Sequence, residues 1–252
     1  MEHIKTIFIE ETGSTIDFLR YYRGEEGTRM TVVCAENQTA GRGQGTNRWE
    51  SEAGKNLLLA VKAYPKNVQA HRQFVLLEAG ALAVKDALER HTDGICVKWP
   101  NDVYHGDCKI SGTLSECTIA HGLVTSCIIG TGININQRLF AGDAPNPTSL
   151  AVINGKDADR MEVLGVFIRH LSTYLDMIDG GHHDDIHAMY KEALYRRHGI
   201  HAYRDKDGEF DATIESVSPN GMLTLATADG KRREYAFKEV SFIINSNQSN
   251  NK

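Results

Sequence analysis

The length and spacing of the apolar runs change near His198, and this change constrains the fold more than any other feature. Before it, apolar runs of strand length alternate with amphipathic stretches of helix length, which is typical of an α+β domain. Between residues 201 and 244 the apolar runs become short and are separated by turn signals such as Pro219-Asn220-Gly221. We therefore predict a large domain over residues 1–198 and a small SH3-like β domain over residues 199–245.

Two kinds of periodicity predict a mixed β-sheet with flanking helices in the large domain. The clearest helix is Gln69–Arg90, whose apolar residues recur at three- and four-residue steps. Apolar runs rich in β-branched residues predict strands. The predicted strands are Thr6–Glu10, Met30–Glu36, Asn56–Ala63, a hairpin of Ile95–Tyr104 with Lys109–Thr118, and Leu123–Ile135; the predicted helices are Asp17–Tyr22, Gln69–Arg90, Arg160–Ile178 and Asp184–Arg196.

Composition narrows the class of protein. The net charge of −5 argues against a nucleic-acid-binding surface. The apolar runs are too short to span a bilayer, and the charged N-terminus does not resemble a signal peptide. Five cysteines without a C-x-x-C pair, and the two histidines His183 and His187, fit neither a disulfide framework nor a protein metal site. We expect a cytoplasmic protein that binds neither nucleic acid nor membrane, with a disordered tail over residues 246–252.

The glycine-rich segment Gly41–Trp49 (GRGQGTNRW) is the first of three candidate functional segments. Its glycines let the backbone approach a ligand closely. Arg42 and Arg48 carry guanidinium groups suited to carboxylate or phosphate, and Trp49 offers a flat face for a ring. The segment matches neither a Walker loop nor the dinucleotide fingerprint. The alternative is a flexible surface loop, which glycine-rich loops usually are.

The second candidate segment is Lys98–Glu116 (KWPNDVYHGDCKISGTLSE). Its proline removes a donor from a strand and marks an irregularity, where the side chains of Asn101 and Asp102 can be aimed at a ligand. Lys109 lies on the returning strand, and Gly112 leaves room beside its ammonium group. The alternative is a polar hairpin whose charges are solvated.

The third candidate segment is Ile129–Asn136 (IGTGININ). Two glycines inside an apolar strand are costly unless something must approach the backbone closely. Asn134 and Asn136 alternate with isoleucine, so both are expected to point to one face of the strand. The alternative is a bulged strand with exposed asparagines.

Together the three segments resemble the biotin protein ligase family. Ser14-Thr15, the GRG loop, KWPND, K-I-x-G and G-x-G-I-N follow one another in the family's order, and the resemblance covers nearly the whole chain. It implies a catalytic fold related to the class II aminoacyl-tRNA synthetases, followed by a small β domain. Three positions depart from the family's pattern: Ile16 replaces an asparagine, while Gln44 and Asn47 stand where arginine is usual.

The resemblance also implies a role for each matching residue. Lys109 and Arg42 would contact the biotin carboxylate and the phosphate, and Asp102 would orient or deprotonate the attacking amine; these three are the expected catalytic residues. The expected biotin-binding residues are Ser14, Thr15, Ile16, Gln38, Arg42, Gly43, Gln44, Lys109 and Gly112. The expected ATP-binding residues are Arg48, Trp49, Lys98, Asn101 and Asn134.

The implied activity is the ATP-dependent activation of biotin as biotinyl-5'-AMP, with release of pyrophosphate. Biotin then passes to a lysine of the biotin carboxyl carrier domain of a carboxylase. ATP, Mg²⁺ and biotin would act as substrates or activator, without a tightly bound prosthetic group, on a monomer or homodimer. Because Ser14-Thr15 comes so early in the chain, we expect no N-terminal helix-turn-helix and no repressor function.

Three other functions remain open at this point. A lipoate protein ligase would use the same chemistry on another cofactor, although KWPND with K-I-S-G favours the biotin branch. A non-catalytic biotin sensor would bind biotin without releasing pyrophosphate, which the retained Lys109 disfavours. A nucleic-acid-binding protein is suggested only by the small β domain and is disfavoured by the acidic charge balance.

Overall fold

The computed structural model of the chain describes residues 3–25, 27–45, 47–142 and 146–244. Within these ranges the chain forms a seven-stranded sheet, a five-stranded sheet and five α-helices. The tail over residues 246–252, predicted to be disordered, lies outside the described residues. The strands are β1 (His3–Thr12), β2 (Thr28–Gln38), β3 (Leu57–Ala63), β4 (Ile95–Lys98), β5 (Asp102–His105), β6 (Cys108–Ala120), β7 (Leu123–Ile133), β8 (His201–Asp205), β9 (Gly208–Val217), β10 (Leu223–Thr227), β11 (Arg232–Tyr235) and β12 (Ser241–Phe242); the helices are α1 (Thr15–Tyr21), α2 (Phe74–Glu89), α3 (Leu150–Asn154), α4 (Arg160–Asp179) and α5 (His183–Glu192).

The large sheet is mixed, with strand order β1-β2-β3-β7-β6-β5-β4. Strands β1 and β2 are parallel, and every other neighbouring pair in this sheet is antiparallel. The small sheet is antiparallel throughout, with strand order β11-β10-β9-β8-β12. The predicted α+β class, a large mixed sheet with flanking helices and a C-terminal β-sheet, is therefore confirmed.

Side chains of β7 alternate between two different surroundings, and this alternation positions the candidate site. Ile129 and Ile133 belong to the main core, which α2 and α4 build on one face of the large sheet. Gly130 and Gly132 point to the opposite face, because successive side chains of a strand alternate. There the side chain of Ile16, on α1, fills the space that a Cβ on Gly130 would take.

The predicted hairpin around His105-Gly106-Asp107 is present between β5 and β6, but the prediction that Ile95–Tyr104 forms its first arm as one strand is wrong. Strand β4 ends at Lys98, the chain turns, and β5 begins at Asp102 and runs back antiparallel to β4. The turn contains Trp99-Pro100, whose proline has a fixed φ and no N–H to donate to a ladder. Strands β4, β5 and β6 therefore form a three-stranded meander that contains the predicted hairpin.

Some helix boundaries also differ from the predictions. The predicted helix Gln69–Arg90 begins with a 3-10 turn, Ala70–Arg72, before α2 proper. The helix predicted from Asp184 to Arg196 already ends at Glu192. Helix α3 was not predicted, because five residues are too few to show a period. In the described part of the chain, no helix has the length and apolar character needed to cross a membrane.

Specific hydrogen bonds join the small sheet and its turns to the rest of the chain. Trp99 Nε1 donates to the carbonyl oxygen of Gly221 at 2.9 Å. The Nε2 atom of His187 lies 2.9 Å from the carbonyl oxygen of Val217. The first contact holds the small sheet beside the turn between β4 and β5, and the second holds it beside α5; the domain boundary near residue 198 stays a prediction.

Candidate active site

Lys109, Asp102 and Trp49 lie together where β5 and β6 meet the glycine-rich segment. The Nζ atom of Lys109 is 2.6 Å from Asp102 Oδ1 and 5.7 Å from the centroid of the Trp49 ring. The register of β5 against β6 shifts between Val103 and Tyr104. A shift of this kind re-aims side chains, so that Lys109 reaches the face that carries Asp102.

A row of glycines runs across the sheet beside this cluster. Asp102 is the register partner of Gly112, and Gly112 is the register partner of Gly132. A Cβ on Gly132 would overlap the indole of Trp49. A Cβ on Gly112 would lie 3.3 Å from Lys109 Nζ, from Asp102 Oδ1 and from a carbon of the indole. The glycines therefore let the indole lie directly against the strand backbone.

A buried polar corner is formed where α1 begins. Ser14 and Thr15 are both buried. The backbone N and the Oγ1 of Thr15 donate to Gln38 Oε1 at 2.7 Å and 3.0 Å. A Cβ on Gly41 would be 3.4 Å from Gln38 Nε2, so the corner adjoins the glycine-rich segment. Ile16 packs into the smaller apolar cluster on this face.

Arg42 lies in an ion-pair network that the sequence motifs do not indicate. It pairs with Asp17 Oδ1 at 3.2 Å and with Glu116 Oε1 at 2.7 Å, and Arg20 pairs with both carboxylates at 2.6 Å. Partial burial acts to raise the pKa of Glu116, but the two arginines outweigh it and hold that pKa below its usual value. Arg42 is thus paired with carboxylates on α1 and β6, whereas Lys109 is paired with Asp102.

Lys98 is covered by the small sheet. Its ammonium lies 5.4 Å from the centroid of the Tyr104 ring and 4.8 Å from that of Phe242, which belongs to β12. Burial lowers the pKa of Lys98, because removing an ammonium from water disfavours its charged form. Phe242 was absent from the predicted site, since nothing in its local sequence indicates that it reaches β4.

The two asparagines predicted to bind ATP are both buried. Asn101 Nδ2 donates to the Thr113 carbonyl oxygen at 2.6 Å, which ties the turn to β6. Asn134 Nδ2 donates to the Thr148 carbonyl oxygen at 3.0 Å. Within the described ranges, Asn134 Oδ1 and Trp49 Nε1 are buried without a hydrogen-bond partner. Buried polar atoms without partners are rare and indicate a place where a polar ligand can bind.

The rest of the glycine-rich segment forms a tight loop. Arg42 and Arg48 are joined by a backbone bridge, and Gly43 N donates to the Asn47 carbonyl oxygen at 2.8 Å. The Oε1 atom of Gln44 is buried and has no hydrogen-bond partner among the described residues. Arg48 is exposed.

The two histidines noted in the sequence, His183 and His187, form hydrogen-bond contacts inside the fold. His183 Nε2 lies 3.0 Å from the Ile178 carbonyl oxygen, and His187 Nδ1 lies 2.6 Å from Glu78 Oε1. In the part of the chain that the structure describes, no group of three or more His, Cys, Asp or Glu side chains could hold a metal ion.

Comparison with known proteins relates this arrangement to one family. The family model described as "Biotin/lipoate A/B protein ligase family" matches residues 8–134, which is half of the chain. The chain is 30% identical over 238 residues to the bifunctional ligase/repressor BirA of Bacillus spizizenii, covering 90% of this chain and 70% of the relative. It is 31% identical over 170 residues to the biotin–[acetyl-CoA-carboxylase] ligase of Mycobacterium tuberculosis, covering 65% and 61% of the two chains.

Solved structures agree with this relationship. The biotin protein ligase from Aquifex aeolicus in complex with biotin and ATP has a TM-score of 0.76 and 27% identity, covering 94% of this chain and 97% of that one. Fold, site and relatives together define an enzyme of the ligase class. The chain belongs to the biotin/lipoate A/B protein ligase family, and the predicted resemblance to its biotin protein ligases is confirmed.

Proposed function

We propose that the chain forms biotinyl-5'-AMP from biotin and ATP, releases pyrophosphate, and transfers biotin to a lysine of a carrier domain. The observation that carries this proposal is the Lys109–Asp102 pair packed beside Trp49 on the glycine row. A fixed cation beside an aromatic face suits a reaction between a carboxylate and a nucleotide phosphate. Support also comes from the similar Aquifex structure, which holds biotin and ATP, and from the relative named as a ligase for acetyl-CoA carboxylase.

The first step is the attack of the biotin carboxylate on the α-phosphorus of ATP. Two anions approach each other, so the site must offset both their repulsion and the charge that grows on the phosphoryl oxygens. The Lys109 ammonium does this from a side chain that is 23% exposed and held by Asp102. The new bond joins a carboxylate oxygen to phosphorus, pyrophosphate leaves, and a mixed anhydride of biotin and AMP remains.

The glycine-rich segment protects that anhydride from water. One of its two arginines, Arg42, supplies a second cation near the reacting groups and is anchored through Asp17 and Glu116. A loop that covers an active site excludes water and keeps a reactive intermediate from hydrolysis. Gly43 and Gln44 contribute the part of the loop that lies over biotin.

The biotin end of the site is the polar corner at the start of α1. Ser14, Thr15 and Gln38 present hydroxyl and amide groups that match the donors and acceptors of a ureido ring. Ile16 provides apolar floor beneath the ring, and Gly112 leaves room for the chain that leads to the carboxylate.

The nucleotide end is formed by Trp49, Asn134 and the turn after β4. The indole is the stacking surface for adenine, and the buried Asn134 Oδ1 can accept a hydrogen bond from the exocyclic amine of adenine. Lys98 and Asn101 fix the turn beside it, and Arg48 approaches the phosphates from the loop.

In the second step the ε-amine of an acceptor lysine attacks the biotin carbonyl, the C–N bond forms and AMP leaves. Asp102 contacts Lys109 and therefore lies beside the reacting carboxyl group. From this position Asp102 orients or deprotonates the attacking amine. The acceptor is the biotin carboxyl carrier domain of a carboxylase.

Mg²⁺ enters this reaction as part of the nucleotide substrate. The phosphate oxygens of ATP would supply most of the ligands of this ion, because Mg²⁺ at nucleotide sites is usually bound through substrate phosphates and water.

The test is pyrophosphate release from ATP and Mg²⁺, measured with biotin and with lipoate in parallel. We expect release with biotin alone, followed by transfer of biotin to a carrier domain added afterwards. Release with lipoate alone would assign the chain to the lipoate branch of the family. Release with neither would contradict an adenylating activity.

Replacing Trp49 by alanine should raise the KM for ATP by roughly tenfold, because stacking of a base on an aromatic ring is worth about 1–3 kcal/mol. The KM for biotin should change less than the KM for ATP. Steady-state pyrophosphate release, with each substrate varied in turn, measures both constants. The control is Tyr21→Ala, an aromatic side chain on α1 that is 81% exposed. Equal increases in both constants for Trp49→Ala would argue against a stacking role.

A further inference from the structure

A lysine of the small sheet reaches the glycine-rich loop of the candidate site. Lys238, in the segment between β11 and β12, has φ 70°. A Cβ on Gly45 would overlap its ammonium nitrogen and lie 3.3 Å from its Cε. Gly45 itself has φ 66°, so the loop backbone offers a place without a side chain where the ammonium can lie. Lys238, in contrast, is a non-glycine residue with a positive φ, which is uncommon and is frequently found at functional sites.

The turn that carries Lys238 is anchored on the active-site side of the molecule. The ring of Phe237 lies 6.2 Å from that of Trp99, in the turn that precedes Asp102. Within the turn, the carboxylate of Glu239 accepts a hydrogen bond from Ala236 N at 2.7 Å. Lys238 is thus placed between the β4–β5 turn and the glycine-rich loop by contacts on both sides.

The ammonium of Lys238 can bind an added anion, whereas the neighbouring cations are already paired with carboxylates. Lys109 is paired with Asp102, and Arg42 is paired with two carboxylates. Among the described residues Lys238 has no ion-pair partner, and its side chain contacts the Phe237 ring at 5.9 Å and the loop at Gly45. An exposed lysine held against a glycine backbone without a carboxylate is suited to bind an anion.

We propose that Lys238 binds the polyphosphate of ATP from the small sheet, at the Gly45 end of the loop. The proposal rests on the proposed function and deepens it, because it adds a nucleotide-binding residue outside the large sheet. It also accounts for Gln44: this position lacks the arginine expected there, and Lys238 brings a cation to the adjacent residue. The small sheet is then part of the active site as well as a packing partner of β4.

The test compares Lys238→Met, which keeps the aliphatic stem and removes the charge, with Lys238→Arg, which keeps the charge. Because the variant loses a charge-assisted contact, Lys238→Met should raise the KM for ATP by roughly tenfold or more. The KM for biotin should stay unchanged, and Lys238→Arg should restore most of the ATP affinity. Added salt should weaken ATP binding less in Lys238→Met than in the native chain. The matched control is Lys231→Met, an exposed lysine of the same sheet that pairs with Asp229 at 2.7 Å.

Calorimetric titration with ATP alone separates this proposal from the proposed function. A native chain that releases pyrophosphate, with a Lys238→Met variant of unchanged KM and unchanged Kd for ATP, would overturn the role of Lys238 and leave the ligase function intact. A native chain that binds ATP without releasing pyrophosphate would contradict the function, and a weaker Kd in Lys238→Met would still support the phosphate contact. Equal losses in Lys238→Met and Lys238→Arg would show that shape matters and charge does not, which also overturns the proposal.

Discussion

Replacing Lys109 by methionine should slow biotin-dependent pyrophosphate release by about 100-fold or more, because one preorganised donor to a developing charge typically contributes that much. The free energy of unfolding should change little, since Lys109 Nζ forms a single ion pair with Asp102 and is partly exposed. Single-turnover adenylation with saturating biotin and ATP measures the rate, and urea unfolding measures the stability. Methionine keeps most of the length of the lysine side chain and removes only its charge.

The double variant Lys109→Met/Asp102→Asn distinguishes two causes of that loss. If Lys109 acts on the phosphate, the double variant should adenylate biotin as slowly as Lys109→Met does. If the loss arises only because Asp102 is left as an unpaired anion that repels ATP, the neutral asparagine should restore most of the rate. Lys85→Met on α2, which breaks an ion pair with Glu89, is the matched control and should leave the rate unchanged.

The elements that could be predicted are those with a long and regular pattern. The period of Gln69–Arg90 and of Arg160–Ile178 predicted α2 and α4, and the apolar run Leu123–Ile135 predicted β7. Each buries a continuous stripe or run, so local sequence and tertiary packing favour the same structure. Helix α3 was missed, and Pro100 was predicted only as an irregularity within a strand and not as the break between β4 and β5, because neither feature depends on a repeating pattern.

The candidate site was predictable in its chemistry but not in its geometry. The costly glycines of IGTGININ indicated that something approaches the strand, yet only the fold shows Ile16 over Gly130 and Trp49 over Gly132. The register shift that aims Lys109 at Asp102 has no signal in the sequence. Contacts that join distant segments, such as Lys238 with Gly45, depend on how the small sheet packs. Local patterns carry no information about such packing.

A buried proton-sharing pair supports the packing of the small sheet against two helices. Glu78 on α2 is 1% exposed, and its Oε1 lies 2.6 Å from His187 Nδ1 on α5. His187 Nε2 faces the carbonyl oxygen of Val217, which can only accept, so this nitrogen carries a hydrogen. The pair therefore holds one proton between Nδ1 and the carboxylate, and it links α2, α5 and the small sheet.

Replacing His187 by alanine should reduce the free energy of unfolding by about 3–5 kcal/mol, because it leaves a buried carboxylate without its partner. Urea unfolding followed by circular dichroism measures the change. The double variant Glu78→Gln/His187→Ala should recover part of the loss, since a neutral amide needs no counter-charge. The control His182→Ala removes an exposed side-chain contact with Asp185 and should cost less than about 1 kcal/mol.

The loss caused by His187→Ala should also depend on pH, with a sign fixed by Glu78. Burial raises the pKa of Glu78 above 4.5, and His187 lowers it in part. A carboxyl group with a raised pKa in the folded chain stabilises the fold below its unfolded pKa, and this contribution is lost as pH rises through the folded value. Without His187 the pKa of Glu78 rises further, so the stability deficit should be larger at about pH 8 than at about pH 5. A deficit of the same size at both pH values would indicate that His187 stabilises the fold through packing and its hydrogen bond to Val217, and not through the charge of Glu78.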